Sequence, residues 1–403
     1  MSLVPAVRVI ADTLRHAIGD RLHRAWRGAA HRQRPLRIGV DIRPFYEPLT
    51  GVGWYLYYLL HEMARHEDVE FLLFGDARVT DHGPHLHADL PPNARFCTFD
   101  LRGLPLGRFD RPLTAAAYVA WLALSDCDVF FGANYFLPRL HSAIARRRVV
   151  TVHDLTYKRF PELLQKETLA NLESQMMREV AIADAIVCVS ESTRHDLLRF
   201  YPIEPSRAVS VLSGLGAPSS SAPFEGLPSR YLLFVSTIEP RKNLVALLDA
   251  YERLRARGAY DGALVVVGKI GWKSESLVPR LRQPGIVHLD YLPVAQLATV
   301  YEKAEAFVFP SIYEGFGFPL LEAMARGVPS IAARSSSLPE IGGDAALYFD
   351  PNDIDALEAL LLRVVNDEGL RADLAARGRA RAAEFRWSDA AAKTLAVLKR
   401  VAS

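Results

Sequence analysis

Two runs of short apolar segments alternating with helical patterns, parted by one stretch with no pattern, constrain this chain more than any other feature. In the first run, "LRIGVDIRPF" (36–45), "EFLLFG" (70–75), "DVFFGA" (128–133), "RRVVTVHD" (147–154) and "AIVCVS" (185–190) are rich in β-branched and aromatic residues, and each ends in small or polar ones. Residues 214–230, "GLGAPSSSAPFEGLPSR", are dominated by Gly, Pro and Ser and read as a linker. The alternation then restarts with "YLLFVS" (231–236), "GALVVVG" (262–268), "GIVHLDYL" (285–292), "AFVFPS" (306–311) and "VPSIAA" (328–333). Strand–loop–helix alternation of this kind marks an α/β fold with a doubly wound parallel sheet. Its occurrence twice in 403 residues predicts two Rossmann-like domains facing a cleft. Ligands collect at the C-terminal ends of the strands in such sheets. The expected layout is a basic helical extension over 1–36, a first domain over 37–213, the linker, a second domain over 231–385 and a terminal helix over 386–403.

Composition removes several classes of function. A net charge of +2 gives no overall field for a polyanion, so nucleic acid is not an expected partner. Residues 1–37 are the exception, with eight arginines against two acids. There Val7, Ile10, Leu14, Ile18 and Leu22 recur at helical spacing among Arg15, Arg21, Arg24 and Arg27. Two readings stay open: a helix lying peripherally on an anionic membrane surface, or a segment packed on the body or disordered. Cys97, Cys127 and Cys188 show no C-x-x-C spacing, which fits a reducing, cytoplasmic setting. The most apolar run, "LTAAAYVAWLAL" (113–124), is too short to span a bilayer, and no signal peptide is expected.

The stretch "SIYEGFGFPLLEAMARGVP" (311–329) places Glu314 just beyond a strand, and Glu322 one turn into the next helix, with seven residues between them. Pro319 suits a helix start, where its missing N–H is no loss. The amides around Gly317, Phe318 and Leu320 then face outward at the positive end of the helix dipole, a ready anion site. Glycines let a ligand approach the backbone closely. With a diphosphate there, the carboxylates would accept hydrogen bonds from hydroxyls on either side of it: a ribose diol for Glu322, sugar hydroxyls for Glu314. A plain capping carboxylate plus an exposed helix Glu is the competing account. Arg241 and Lys242 follow the first strand of the second run, and a helix start disfavours cations. Their position fits charge neutralisation on a departing diphosphate.

"FVFPSIYEGFGFPLLEAMARGVPSIAARSSSLPEIGGDAALYFDP" resembles the donor-site signature of retaining glycosyltransferase family 4, of GT-B architecture, and most closely its mannosyltransferase-like branch. "FVSTIEPRKNL", "LVVVGKIGW", "TVHDLTY", "VDIRP", "TGVGWYL" and "FRWSDAA" extend the likeness, in order, over roughly residues 37–400. The resemblance implies an acceptor-binding first domain, a donor-binding second domain and a last helix that crosses back to the first. It assigns Lys242 to the diphosphate. Relatives often carry an arginine where this chain has Ser236-Thr237, so Arg241 stands as the candidate for that role. The resemblance brings Gly51, Val52 and Gly53 to the donor phosphates as a glycine loop. It sets His153, with Glu314, Gly315 and Phe316, beside the transferred sugar, and Gly268, Lys269, Tyr291, Leu292 and Glu322 near the nucleoside. The implied reaction is retaining transfer of a hexose, mannose from GDP-mannose being the expected donor, onto a glycan or lipid-linked saccharide in surface polysaccharide synthesis. A UDP-sugar donor, or a nucleotide-sugar epimerase of the same fold, are the alternatives. A dinucleotide oxidoreductase is disfavoured because "TGVGWYL" lacks a third glycine. A non-catalytic polysaccharide-binding protein would tolerate loss of Glu314 and Lys242. No cofactor or essential metal is expected: "DCD" (126–128) precedes its strand rather than following one, and reads as a connector.

Overall fold

The computed structural model describes residues 35–45, 51–76, 91–99, 127–135, 137, 146–164, 166–216 and 220–403. The basic segment over 1–34, the apolar run over 113–124 and Asp126 lie outside the described residues. Strands β1 (Leu36–Asp41), β2 (Val69–Asp76), β3 (Ala94–Phe99), β4 (Val129–Gly132), β5 (Arg148–Val152), β6 (Ala185–Cys188) and β7 (Ala208–Ser210) form one sheet in the order β3-β2-β1-β4-β5-β6-β7. Strands β8 (Tyr231–Val235), β9 (Ala263–Val267), β10 (Ile286–Leu289), β11 (Ala306–Phe309), β12 (Ser330–Ala333) and β13 (Ala346–Phe349) form a second, ordered β10-β9-β8-β11-β12-β13. Every strand pairing is parallel. Both sheets are wound outward in two directions from their first strand. Their topological switch points therefore fall between β1 and β4 and between β8 and β11, where ligand crevices open in such sheets.

The helices that matter for the site are α1 (Gly51–Met63), α2 (Lys166–Ile182), α3 (Glu191–Phe200), α4 (Leu244–Ala256), α5 (Val294–Glu302), α6 (Phe318–Ala325), α7 (Ile354–Asn366), α8 (Glu368–Ala382) and α9 (Trp387–Ala402). Helix α1 buries Tyr55, Leu56, Leu59, Leu60 and Met63 as one stripe. That stripe extends the helix back to Gly51, overriding glycine's cost of about 1 kcal/mol per residue. The predicted Gly51-Val52-Gly53 loop is thus the first turn of α1, a correction to the sequence reading. Asp128 uses its carboxylate on the amide of Arg37 at the base of β1.

The inter-domain segment is pinned rather than free. Leu215 donates its amide to Phe385 O, Ala222 to Ala295 O, and Thr299 its hydroxyl to Ala222 O. A Cβ on Gly214 would sit 2.3 Å from the Trp387 amide nitrogen, so the chain passes there only as glycine. Helix α9 leaves the second domain and packs on α1 and the first sheet, burying Trp387, Ala390, Ala391, Thr394, Leu395, Val397 and Leu398. Its far end is tied by Lys399 to Asp68, 2.6 Å away. Among the described residues no helix is long and apolar enough to cross a membrane.

Candidate functional site

Beyond β8 the chain makes a single turn of 3-10 helix (Pro240–Lys242), then Asn243 turns left-handed (φ 54°) before α4. Beyond β11 it forms the loop 310–317 that ends in α6. Because β8 and β11 are neighbours, these two connections meet at the switch point. Lys242 Nζ lies 2.6 Å from Glu314 Oε1, and Arg241 Nη1 lies 2.9 Å from Glu314 Oε2. Arg241 also donates to Tyr313 O at 2.8 Å and to Glu239 Oε1 at 2.6 Å. Sequence reasoning gave Glu314 and the two cations separate ligands and did not foresee this contact.

Glu239, Lys242 and Glu314 are buried, and Arg241 is half-buried beside them. Burial alone would raise the Glu314 carboxyl, but Lys242 and Arg241 overcome it and hold the group down at about 2. Burial lowers Lys242 from its ordinary 10.5, opposed by Glu314 and reinforced by Arg241. Arg241 is raised: burial opposes its charge, but Glu314, Glu239 and Asp154 favour it more strongly.

The Glu314 loop is held by its carbonyls. Ser337 Oγ donates to the carbonyls of Glu314 and Phe316, and Ser190 Oγ and Thr193 Oγ1 donate to that of Gly315. Ser336 Oγ accepts the amide of Glu314. Among the described residues, the amides of Gly315, Phe316, Gly317 and Phe318 have no hydrogen-bond acceptor. Gly317 caps α6 in a left-handed conformation (φ 107°), which turns its carbonyl onto the helix axis. There it accepts from Leu320 at 3.1 Å and Leu321 at 3.3 Å. Leu320 is therefore removed from the expected anion site, since its amide is spent inside the protein. The donors on offer are those of 315–318, one turn earlier.

Glu322 faces a different space. A cavity of about 280 Å³ is bounded by Gly51, Trp54, Tyr58, Phe318, Glu322 and Trp387 among others, and Glu314 does not line it. Tyr301 donates its hydroxyl to Glu322 Oε2 at 3.3 Å. Burial raises the Glu322 carboxyl to about 7, against the smaller opposing effects of Tyr301 and Arg326. Between its ordinary 4.5 and 7 the folded protein keeps a proton that the unfolded chain has released. Stability should accordingly fall as pH rises across that window and level off above it. Urea unfolding from pH 5 to 8 should give this slope in the native protein and a flatter line in Glu322→Gln.

Trp54, Tyr58, Trp387 and Phe318 stack in sequence at centroid distances of 5.9, 5.6 and 6.5 Å, joining α1 to the start of α6 through α9. His153 follows β5 with its Nε2 on Ala133 O at 2.7 Å and its ring edge-on to Tyr55. Burial lowers its pKa, so the imidazole is neutral, with Nε2–H donating and Nδ1 left as an acceptor. Gly315 presses on the His153 backbone: a Cβ there would lie 1.7 Å from His153 O.

The other residues assigned to the nucleoside stand outside the Glu322 cavity. Gly268 donates its amide to Leu289 O and accepts from His288 Nε2, and its φ of 148° permits a close pass over Ser236 O. Lys269 lies over the ring of the exposed Tyr291 at 5.8 Å. Gly268, Lys269, Tyr291 and Leu292 do not line the Glu322 cavity. Sequence reasoning missed Glu239, Tyr301, the serines at 336 and 337 and the stacked aromatics. The run of three serines after β12 was the one visible signal, since hydroxyls at a strand's C-terminal end serve loops as well as ligands.

Residues 222–381 match the family model "Glycosyl transferases group 1", and residues 49–215 match "Glycosyltransferase Family 4". O-antigen chain mannosyltransferase B of Escherichia coli is 33% identical over 385 residues, covering 90% of this chain and 100% of that protein. The MMP alpha-(1->4)-mannosyltransferase of Mycolicibacterium hassiacum is 31% identical over 267 residues, 65% of this chain and 64% of that one. Among solved structures, Anabaena HepE in complex with UDP and glucose superposes with a TM-score of 0.65 at 16% identity, over 91% of this chain and 100% of that chain.

Proposed function

The chain belongs to glycosyltransferase family 4, mannosyltransferase-like branch, with a GT-B fold, and from that premise we propose that it moves a hexose from a nucleoside diphosphate sugar to a glycan hydroxyl with retention. The observation that carries this reading is the Lys242–Glu314–Arg241 cluster beside the amides of 315–318, which have no acceptor among the described residues, at the switch point of the second sheet. The diphosphate takes the amides of 315–318 and the two cations, with the first turn of α1 (Gly51, Val52, Gly53) approaching from the other domain. The sugar lies against Glu314, Gly315, Phe316 and His153, whose Nδ1 can accept from a hydroxyl. Glu322 holds the ribose, and Gly268, Lys269, Tyr291 and Leu292 border the base.

This arrangement leaves Glu314 poorly suited to attack or protonate: a carboxylate held at about 2 by two cations is a weak nucleophile and no acid. The reaction that fits is attack by the acceptor on the face the diphosphate leaves, with the leaving oxygen taking the acceptor's proton. Lys242, Arg241 and the loop amides neutralise the charge that develops, so the step requires no divalent metal. The names of the relatives support mannose as the sugar and, for the Escherichia coli protein, O-antigen as the product. GDP-mannose as the donor and a lipid-linked saccharide at the cytoplasmic membrane face as the acceptor complete the proposal.

A panel of nucleotide-sugars, scored by released nucleoside diphosphate with and without acceptor, tests the reading. Turnover with GDP-mannose is the expected result. Turnover with UDP-sugars alone would replace the donor, and isomerised donor without transfer would make the protein an epimerase.

A further inference from the structure

The loop that carries Glu314 is gripped from the other domain on both sides of that residue. Tyr313 is buried, and its hydroxyl donates to Asp196 Oδ2 at 2.8 Å while accepting the Leu155 amide at 3.2 Å. The carbonyl of Gly315 accepts from Ser190 Oγ at 2.6 Å and Thr193 Oγ1 at 3.2 Å. Ser190, Thr193 and Asp196 recur every third residue, along one side of α3 and its cap. A third anchor lies at the tip of that helix. The carboxylate of Glu340 accepts from the amide of Glu191 at 2.9 and 3.0 Å and from that of Ser192 at 3.2 Å.

These amides are among the donors that a helix start leaves without internal partners, and the dipole there favours a carboxylate. Here the second domain supplies it. Glu340 stands on the short helix Leu338–Gly342, directly after the serines that hold the same loop from behind. One helix of the first domain thus meets the loop at Tyr313 and Gly315, and its supporting strut at Glu340.

We propose that α3, Tyr313 and Glu340 act as a closure clamp, in which Tyr313 and Glu340 are positioning residues that set the Glu314 loop in its working place when the domains dock. The inference rests on the transfer reaction proposed above. Polar groups paired across an interface fix register more than they add affinity, which is the property a clamp needs. A shift of the loop on opening displaces Glu314 and, through its two ion pairs, Lys242 and Arg241.

The test uses the full chain with Tyr313→Phe, Glu340→Ala and Glu340→Gln. Because transfer depends steeply on placement, Tyr313→Phe and Glu340→Ala should each lower kcat about tenfold while the Kd for nucleoside diphosphate stays within about twofold. Glu340→Gln keeps an acceptor oxygen and should recover most of the rate. Small-angle scattering at saturating nucleoside diphosphate should give a larger radius of gyration for Tyr313→Phe and Glu340→Ala than for the native protein. Native kcat and native scattering in both variants would overturn the clamp, as would a rate lost only in proportion to unfolded protein by circular dichroism. If the native chain turns over no nucleotide-sugar, the transfer reading fails, and the scattering comparison still decides the clamp.

Discussion

Replacing Lys242 with alanine should lower kcat for hexosyl transfer by about 10²–10³-fold, the usual effect of removing one preorganised charge-stabilising donor. The ammonium is buried, 2.6 Å from Glu314 Oε1, and is held there before any ligand arrives. It therefore meets the departing diphosphate without reorganising. Stability should respond differently from activity. In Lys242→Ala the guanidinium of Arg241 still neutralises Glu314 at 2.9 Å, so the fold keeps a paired carboxylate. In Glu314→Ala both cations lose that carboxylate, and an uncompensated buried charge costs about 3–5 kcal/mol. Chemical denaturation alongside steady-state kinetics separates the two. A Lys242→Ala enzyme of near-native kcat would remove the ammonium from the leaving-group role. The acid limb of stability carries the same signature. The contribution of Glu314 is present above its ordinary 4.5 and is lost as pH falls towards about 2, so Glu314→Gln should flatten acid unfolding in that range.

Gly315→Ala should abolish most transfer while leaving each domain folded. The added carbon would lie 1.7 Å from His153 O and 2.7 Å from His153 C, both backbone atoms that cannot rotate away. Either the loop recoils or the domains part, and overpacking of this kind costs about 1–3 kcal/mol. Both responses draw the amides of 315–318 away from where they are needed. Far-UV circular dichroism should be native, with activity near one hundredth of native by the same reasoning as for a misplaced reactive group, about 10². A Gly315→Ala protein with native kcat would show that the close approach of the domains is dispensable.

That glycine also shows how far the sequence carries. Gly315 was read as room for a ligand, and the close approach it permits is to the backbone of the opposite domain. The strands that were legible are continuous apolar runs. Strands β3 (ARFCTF), β7 (AVS) and β13 (ALYF) were not singled out, being broken by Arg95, short, or flanked by little alternation. Arg241, Lys242 and Glu314 were each recognisable from residue type and place. Their mutual contact spans 72 positions and depends on β8 lying between β9 and β11, and alternation does not specify that order. The availability of the Leu320 amide turned on one dihedral angle, that of Gly317. The clamp was invisible because Ser190, Thr193 and Asp196 look like ordinary cap and surface residues until their partners arrive from more than a hundred residues away.

The path of α9 has a consequence for how the protein is made. Its apolar face covers α1 and the strands β4 to β6, yet it is synthesised long after β7, the last strand of that sheet. At ordinary translation speeds the ribosome needs roughly 10–35 s to travel from one to the other. Throughout that interval the nascent first half presents Tyr55 and its neighbours as an unsealed surface. The half that emerges first is the half that matures last.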